Sequence, residues 1–508
     1  MALCLSRNYK RATICLFAFF VCSPNLQAQL SVAWQRQQLE TSLYAEPLMV
    51  FRPQVLRAEC LTQAERRVWL AHAGFVDFLL RPEARRLEYY LTLADTAQRL
   101  LESQPDNTAS AGLLAGLELE RGLGHLLKRN YLSAMAALRR SYRICEANEL
   151  ETGNPKQAYL NRVRALFQFA LASLPGKYSW IMRLLGYEGN MAEGKRALAE
   201  AERYPEAAPF TPELELIGGW VAKQLLNQPE EAAERIERLT QRYPTNPIVW
   251  YAWAAWQLEI KQAHRVTEVL DDKLKAHPDW GQRVPYLWHV LGKALLYTAQ
   301  WKPSSQAFQQ FRKLQAGNQY LADSWLKTGQ ALELAGESTA AIQAFQQTLQ
   351  TSSNGFDQDA GAQREARTLL ARPLGQVGRK LMEARFAYDG GQYTRALQLL
   401  ESLSETPMQV DNRTEWYYRK ARVLQAQQAS VQAEAAYQRV LLTKPNENLW
   451  MQPFARFYLG EMAEMRKDSS QAISHYRAAL QYTDYDYQNG LEQRVKAALK
   501  RLNAPEMK

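Results

Sequence analysis

The feature that most constrains this chain is a recurring spacing of small and aromatic residues. Within Pro453–Leu480, four such residues follow one another at intervals of 12, 4 and 3, namely Gly460, Ala472, Tyr476 and Ala479. The apolar periodicity on either side of Arg466–Ser470 predicts two amphipathic helices joined by a turn. The small residues let the two helices approach closely, and the aromatic ring fills the gap beside them. Such a pair cannot bury its apolar face alone, so it must stack on neighbouring pairs.

The same spacing recurs several times along the chain. Its clear copies are Gly292–Ser304–Phe308, Gly329–Ala341–Phe345 and Ala421–Ala433–Tyr437, a weaker copy is Ala384–Ala396–Leu400, and degenerate copies are Trp220–Ala232–Ile236 and Ala254–Val266–Leu270. Successive first residues are 34, 38, 37, 55, 37 and 39 positions apart. This spacing and period are typical of the tetratricopeptide repeat (TPR). The sequence therefore predicts an all-α fold, a TPR-type α-solenoid of stacked antiparallel helix pairs.

Breaks in the repeat pattern predict five segments. They are a signal peptide at 1–28, a helical region without the repeat at 29–110, helical repeats at 111–350 that are degenerate at first, an insertion or hinge at 351–373, and C-terminal repeats with a capping helix at 374–502. The insertion accounts for the longest interval between repeats, and Ser353-Asn354-Gly355 in it has turn chemistry. Apolar residues from Leu491 to Leu502 form one stripe, which suits a capping helix with a polar outer face.

The segment Met1–Ala28 has the pattern of an export signal. Three basic residues, Arg7, Lys10 and Arg11, precede the apolar run Ala12–Cys22, and Ala28 offers a small residue before a cut at Gln29. We therefore expect an exported protein of the periplasm or cell envelope. Lipid anchoring at Cys22 is less favoured, because the residues before it are large.

The charge balance bears on the partners. Removal of the signal lowers the formal net charge from +10 to +7, because three basic and no acidic residues leave. No dense Lys/Arg run remains, so nucleic acid is not expected as a partner. No second apolar run reaches transmembrane length, while peripheral membrane association stays open. Cys60 and Cys145 remain after cleavage, and two unpaired thiols are favoured over a disulfide between them.

Motifs of catalysis are missing from the sequence. We find no HExxH, paired CxxC, phosphate-cradling glycine loop or GxSxG, and the six histidines are scattered. Glu461 and Glu464 lie one helical turn apart, but Arg456 and Arg466 beside them favour a solvated charged face over paired catalytic acids. The sequence therefore predicts a protein that is not an enzyme, with no catalytic, cofactor-binding or metal-binding residues.

The first helix of each TPR pair lines a concave groove, which is the candidate binding site. The groove positions predicted by the repeat register are His289, Lys293, Gln330, Tyr418, Arg422, Phe457 and Glu461. This mixed lining suits a protein or peptide segment, anchored by aromatic and Arg side chains. The alternative is a glycan-binding or glycan-processing protein, which the many Trp and Tyr residues would suit. Core packing is favoured for the cluster Trp250–Trp256.

One string resembles a known family. Leu174-Pro175, Leu184-Leu185 and the glycines 186, 189 and 194 are similar to a segment of the eukaryotic tetratricopeptide-repeat protein 39 family and its fungal inclusion-body clearance relatives. Asn190 stands where that family usually has Asp, and the closing helix after Asp484–Tyr487 adds to the resemblance. The resemblance implies an all-helical scaffold or adaptor without catalytic residues. The family's cytosolic or lipid-droplet role does not transfer to a chain with an export signal.

Overall fold

The chain is described here from a computed structural model. The structure describes residues 24–103, 108–148, 151–154, 157–172, 187, 189–204, 210–224, 228–352 and 357–504. The predicted signal sequence up to residue 23, the string Leu174–Gly186 and the turn Ser353–Gly355 lie outside these residues. The described chain divides into two compact units, Met1–Trp253 and Ala254–Lys508.

The first unit consists of helices. Their bounds are α1 Pro24–Ala45, α2 Leu48–Arg57, α3 Gln63–Leu80, α4 Ala84–Glu102, α5 Thr108–Leu127, α6 Tyr131–Glu146, α7 Ala158–Ala172, α8 Met191–Glu202, α9 Thr211–Gln224, α10 Pro229–Arg242 and the start of α11 Pro247–Glu259. Consecutive helices pack as the pairs α3/α4, α5/α6, α7/α8 and α9/α10.

The second unit continues the same alternation. Its helices are α12 Ala263–Ala276, α13 Pro278–Arg283, α14 Tyr286–Tyr297, α15 Trp301–Leu314, α16 Leu321–Leu334, α17 Ser338–Gln350, α18 Asp357–Ala371, α19 Gln376–Asp389, α20 Tyr393–Glu401, α21 Val410–Ala426, α22 Ser430–Leu442, α23 Met451–Met465, α24 Ser469–Ala479 and α25 Gln488–Arg501. The pairs are α14/α15, α16/α17, α19/α20, α21/α22 and α23/α24, and α25 packs on the last pair.

The close contacts explain why glycine opens the repeat spacing. A Cβ atom at Gly460 would lie 2.5 Å from the Tyr476 ring, and one at Gly329 would lie 2.4 Å from the Phe345 ring. Any larger side chain would push the two helices of the pair apart. Ala472 and Ala433, at the next small position, are fully buried. The residues at the predicted spacing thus form the contact between the first and second helices of a pair.

The degenerate copies differ in how well they were predicted. Ala254, Val266 and Leu270 are all fully buried, as the repeat requires. Trp220 is 49% exposed, so its assignment to the small buried position is wrong. Gly219 occupies that place, since a Cβ atom there would lie 3.8 Å from the backbone of Ala232.

A pair with the same spacing lies inside the region expected to have none. Gly74 lies on α3 and Tyr90 on α4, and a Cβ atom at Gly74 would lie 3.7 Å from the Cα atom of Tyr90. Tyr90 is fully buried, and its hydroxyl donates to the carbonyl oxygen of Leu117 at 3.1 Å. The repeat spacing does not reveal this pair, because Arg86 replaces the intermediate small residue.

The expected hinge at 351–373 needs correction. Most of it is helix α18, which packs on α16 and α17. Ala362 and Ala366 enter the core, and buried Asp359 accepts the backbone N–H groups of Tyr320 at 2.8 Å and Asp323 at 2.9 Å. The carboxylate accepts hydrogen bonds from N–H groups at the start of α16, which have no partner within the helix. The segment is therefore an extra helix of the stack rather than a surface loop.

Candidate functional site

The candidate site is a row of charged side chains on the first helices of the second unit. Each member is partly exposed and comes from a different element between α14 and α23, and the set, called here the unit-2 row, is Lys293, Lys327, Glu365, Arg385, Arg422 and Glu461. Both signs of charge occur along it. Side-chain hydrogen bonds join Lys327, Glu365 and Arg385 across three helices.

The row starts beside a buried His–Asp pair. His289 Nε2 lies 2.8 Å from Asp323 Oδ2, and the two side chains are 8% and 3% exposed. Burial alone would raise the pKa of Asp323, but the hydrogen bond with His289 and the nearby Lys327 hold it well below its usual range. Burial lowers the pKa of His289, so at neutral pH the uncharged ring donates to the carboxylate.

Gln330 links Lys327 to the next helix. Its amide nitrogen donates to Glu365 at 2.7 Å, while its amide oxygen accepts from Lys327 at 3.2 Å. Arg385 then donates to the same Glu365 at 2.9 Å. Burial alone would raise the pKa of Glu365, but Arg385 and Lys327 lower it. The carboxylate is therefore ionised at neutral pH and joins α16, α18 and α19.

The far end of the row is built around Arg422. Its guanidinium lies 3.8 Å from the centre of the Tyr458 ring and 5.4 Å from that of Tyr388. Glu461 follows, with Oε1 3.6 Å from an amino nitrogen of Arg494 on α25. Burial raises the pKa of Glu461. The Tyr458 ring holds the guanidinium of Arg422 in place, which suits recognition of a planar or anionic group.

The predicted groove residues divide by depth. Lys293, Arg422 and Glu461 are partly exposed and belong to the unit-2 row. His289 and Gln330 are buried beneath the row and support it. Their role as partner-binding residues stays a prediction.

Two predicted contact residues lie deeper than expected. Tyr418 is 4% exposed and packs edge-on against Trp450, with ring centroids 5.1 Å apart. Phe457 is 3% exposed, and Arg494 covers its ring at 4.3 Å. Tyr418, predicted to line the groove, is therefore buried in the free protein. The repeat register placed it on the correct helix, but rings from the following elements cover it.

Three members of the row were missed in the sequence. Arg385 directly follows the small residue Ala384, as Lys293 follows Gly292 and Glu461 follows Gly460. The same rule, applied to the weak copy Ala384–Ala396–Leu400, identifies Arg385 as a groove residue. Lys327 breaks the rule, and Glu365 lies on α18, whose place in the stack the sequence did not reveal.

The corresponding helices of the first unit carry a buried chain of polar contacts instead. The Tyr44 hydroxyl lies 2.9 Å from His72 Nε2, and His72 Nδ1 lies 2.8 Å from Glu120 Oε1. Arg162 donates to the same Glu120 at 3.2 Å and to Glu213 at 2.7 Å. His72, Glu120 and Arg162 are each 3% exposed. These side chains are buried and bind mainly to one another, although Glu120 Oε2 has no hydrogen-bond partner, so this face offers less to a ligand than the partly exposed unit-2 row does.

The His289–Asp323 pair predicts how stability depends on pH. Both groups have a folded-state pKa below the unfolded value, so the unfolded chain binds more protons and acid favours unfolding. The histidine contribution is present above about pH 6.5 and is lost as pH falls through its folded-state pKa. We expect the second unit to lose about 1 kcal/mol between pH 7 and pH 5 through His289. Urea unfolding of the wild type and His289→Gln at both pH values measures this, and equal losses in the two proteins would contradict it.

Possible metal ligands, thiols and apolar helices are the remaining features of the described residues. Among them, no three His, Cys, Asp or Glu side chains are grouped so that they could hold a metal ion. Cys60 and Cys145 are unpaired, and burial raises the pKa of the Cys145 thiol to about 12. Within the same residues, no helix has the length and apolar character needed to cross a membrane.

Comparison with known proteins gives one sequence match. Residues 289–356 match the profile of the tetratricopeptide repeat, and they span α14 to α17 with the first part of the unit-2 row. The fold is an all-α solenoid of the TPR type. No protein of curated function matches the chain in sequence. The tetratricopeptide-repeat protein 39 family is therefore not confirmed.

Solved structures of similar type cover most of the chain at low identity. Yeast Tom70 is 12% identical, over 94% of this chain and 96% of that one, with a TM-score of 0.26. The APC/C hetero-tetramer Cut9–Hcn1 is 14% identical, over 95% and 98%, with a TM-score of 0.27. The TPR domain of P58(IPK) is 14% identical, over 87% and 99%, with a TM-score of 0.20. Such values support no argument about partners.

Proposed function

We propose that this chain is a non-catalytic exported scaffold that binds a protein or peptide segment along the unit-2 row. The observation that carries the proposal is the row itself. Five successive first helices and α18 present charged groups of both signs that stay partly exposed. An extended segment bearing both charges would meet complementary groups along its length.

The kind of repeat supports a protein partner. Stacked helix pairs create extended surfaces, and TPR surfaces commonly bind peptides. Arg422, stacked on Tyr458, is the strongest candidate anchor, because Arg and aromatic residues are enriched in binding hot spots. A place beside the tetratricopeptide-repeat protein 39 family, as an adaptor, remains part of the proposal.

The glycan alternative has less support. Sugar-binding sites commonly present aromatic faces to solvent, and among the described tryptophans Trp220 alone is strongly exposed, at 49%. Within the predicted core cluster, Trp253 is 3% exposed and Trp250 donates through Nε1 to the carbonyl oxygen of Pro244 at 2.7 Å. These rings serve packing, so we retain the protein partner.

Mutagenesis of the row tests the proposal. The mature chain is used to capture partners from the envelope fraction of its own cells, and the isotherm of the captured protein is measured. The double substitution Lys293→Ala with Glu461→Ala is expected to weaken binding by about 1–2 kcal/mol for each anchor lost. Lys302→Ala with Glu434→Ala, on second helices α15 and α22, is the matched control. Equal binding by both variants would contradict the proposal.

Export is tested separately. N-terminal sequencing of the native protein should begin at Gln29, in a fraction enriched in periplasm or envelope. An intact Met1 on a cytosolic protein would show that Met1–Ala28 is not a cleaved signal. Binding along the unit-2 row would remain testable in that case.

A further inference from the structure

The turn between α5 and α6 carries an exposed apolar surface in the first unit. Its members lie in the last turn of α5 and the first two turns of α6, and they are Leu126 (44% exposed), Leu127 (40%), Tyr131 (59%), Leu132 (84%) and Met135 (62%). This surface is called here the α5–α6 tip. Single exposed apolar residues need no explanation, but five large ones within ten positions mark an interaction site.

The tip does not serve the fold of the pair. The inner face of α6 is formed by Ala134, Ala137, Ser141 and Cys145, which are all buried. Leu132 and Met135 lie away from that face, together with Arg139 and Arg143. The backbone of the turn is closed by its own hydrogen bonds, from Lys128 N to Gly124 O at 3.3 Å and Asn130 N to His125 O at 2.9 Å. The apolar side chains therefore project from a fixed hairpin.

The charge around the tip, between Glu120 and the exposed Glu146, has one sign. Residues 121–145 hold six basic side chains and no acidic one, namely Arg121, Lys128, Arg129, Arg139, Arg140 and Arg143. Arg121 is paired with Asp95 of α4 at 2.7 Å, and Arg140 is paired with Glu118, which precedes this stretch, at 2.8 Å. Lys128, Arg129, Arg139 and Arg143 are exposed. The pattern is an apolar tip with a basic border.

The neighbouring α3–α4 turn does not reverse this charge. It lies against the tip, because Lys128 Nζ donates to the carbonyl oxygen of Pro82 at 2.7 Å. Its acids, Asp77 and Glu83, both contact Arg86. Arg81 and Arg85 add further positive charge. No acidic side chain of that turn is therefore left to offset the basic border.

We propose that the α5–α6 tip docks the protein onto an anionic lipid bilayer. Exposed Leu, Tyr and Met side chains would enter the boundary between headgroups and acyl chains, while the Arg and Lys side chains would meet the phosphate groups. A tyrosine at the edge suits this depth, since its ring is apolar and its hydroxyl polar. The contact is peripheral, because it uses one hairpin tip. It is independent of the unit-2 row.

Vesicle binding tests the proposal. The mature chain is sedimented with vesicles of phosphatidylcholine alone or with about 30% phosphatidylglycerol added as the anionic lipid. Stronger binding to the anionic vesicles, weakened by added salt, is expected. Arg139→Gln with Arg143→Gln should lower the partition coefficient about twenty-five-fold, since each charge is worth about fivefold. The matched control is Arg439→Gln with Lys444→Gln, both exposed in the second unit.

The apolar part has its own variants. Leu132→Ser with Met135→Ser should reduce binding to anionic vesicles about tenfold or more. Val431→Ser with Leu442→Ser is the control, because these side chains are 83% and 74% exposed on α22. All four variants change exposed residues, so each should melt like the wild type. Equal binding to neutral vesicles, or unchanged binding by the tip variants, overturns the proposal. The proposal is also overturned if the wild type does not bind vesicles but binds a protein that the tip variants do not bind.

Discussion

Replacing Arg162 by methionine is expected to lower the free energy of unfolding of the first unit by about 3–5 kcal/mol, because it leaves a buried carboxylate without its cation. Arg162 is 3% exposed and lies between Glu120 and Glu213, at 3.2 and 2.7 Å. Its guanidinium also covers the Phe210 ring at 3.8 Å. Burial alone would raise the pKa of Glu120, while His72 and Arg162 keep it low. Methionine fills a similar volume but cannot donate hydrogen bonds to the two carboxylates.

A surface pair provides the control for this substitution. Arg466 lies 2.8 Å from Glu434, with side chains 44% and 31% exposed. Arg466→Met should change the free energy of unfolding by less than about 1 kcal/mol, because solvent screens that pair. Urea unfolding of both variants at neutral pH is the measurement. If Arg162→Met unfolded at the same urea concentration as Arg466→Met, the buried chain of contacts would not stabilise the first unit.

The second large effect is expected from Tyr476→Ala, which should lower the free energy of unfolding of the second unit by about 3–5 kcal/mol. The ring is fully buried against Gly460, and its hydroxyl donates to Glu464 at 2.7 Å. Removing the ring leaves a cavity between α23 and α24 in addition to the lost apolar burial. The partly exposed Glu464 would also lose a donor.

Two further variants separate the causes. Tyr476→Phe keeps the ring and loses the hydrogen bond, so it should cost about 1 kcal/mol. Tyr131→Ala removes a ring that is 59% exposed and should change stability by less than about 0.5 kcal/mol. Thermal and urea unfolding measure all three. A melting curve for Tyr476→Ala like that of Tyr131→Ala would show that the repeat register is wrong.

The burial of the predicted groove residues shows what the repeat pattern of the sequence does not predict. The sequence placed Tyr418 and Arg422 one turn apart on the first helix of a pair, and both lie on α21. Arg422 remains partly exposed, whereas Tyr418 is covered by Trp450 from the start of the next pair. A periodic pattern identifies a helix face, but it does not say how far the following repeat extends over that face. How deeply a groove residue is buried depends on how the next repeat packs over it.

The sequence by itself determined the helix pairs, because the contact within a pair depends on residues 12 and 16 positions apart. Glycine or alanine opposite an aromatic ring allows close packing in any pair, so the signal repeats wherever the contact does. It failed at Trp220, where a large residue occupies the matching position beside Gly219, and it missed Gly74 and Tyr90 because Arg86 replaces the small second residue of the pattern.

Only the tertiary structure decided what the polar residues do. Helix α18 reads as a polar insertion, yet Asp359 caps α16 and Ala362 enters the core. The buried chain around Arg162 joins residues from five helices, and the unit-2 row joins Glu365 to Arg385 across two. A charged side chain is stable in the interior only when partners from other elements meet it. Those partners are distant in sequence, so their meeting is fixed by the stacking of the repeats.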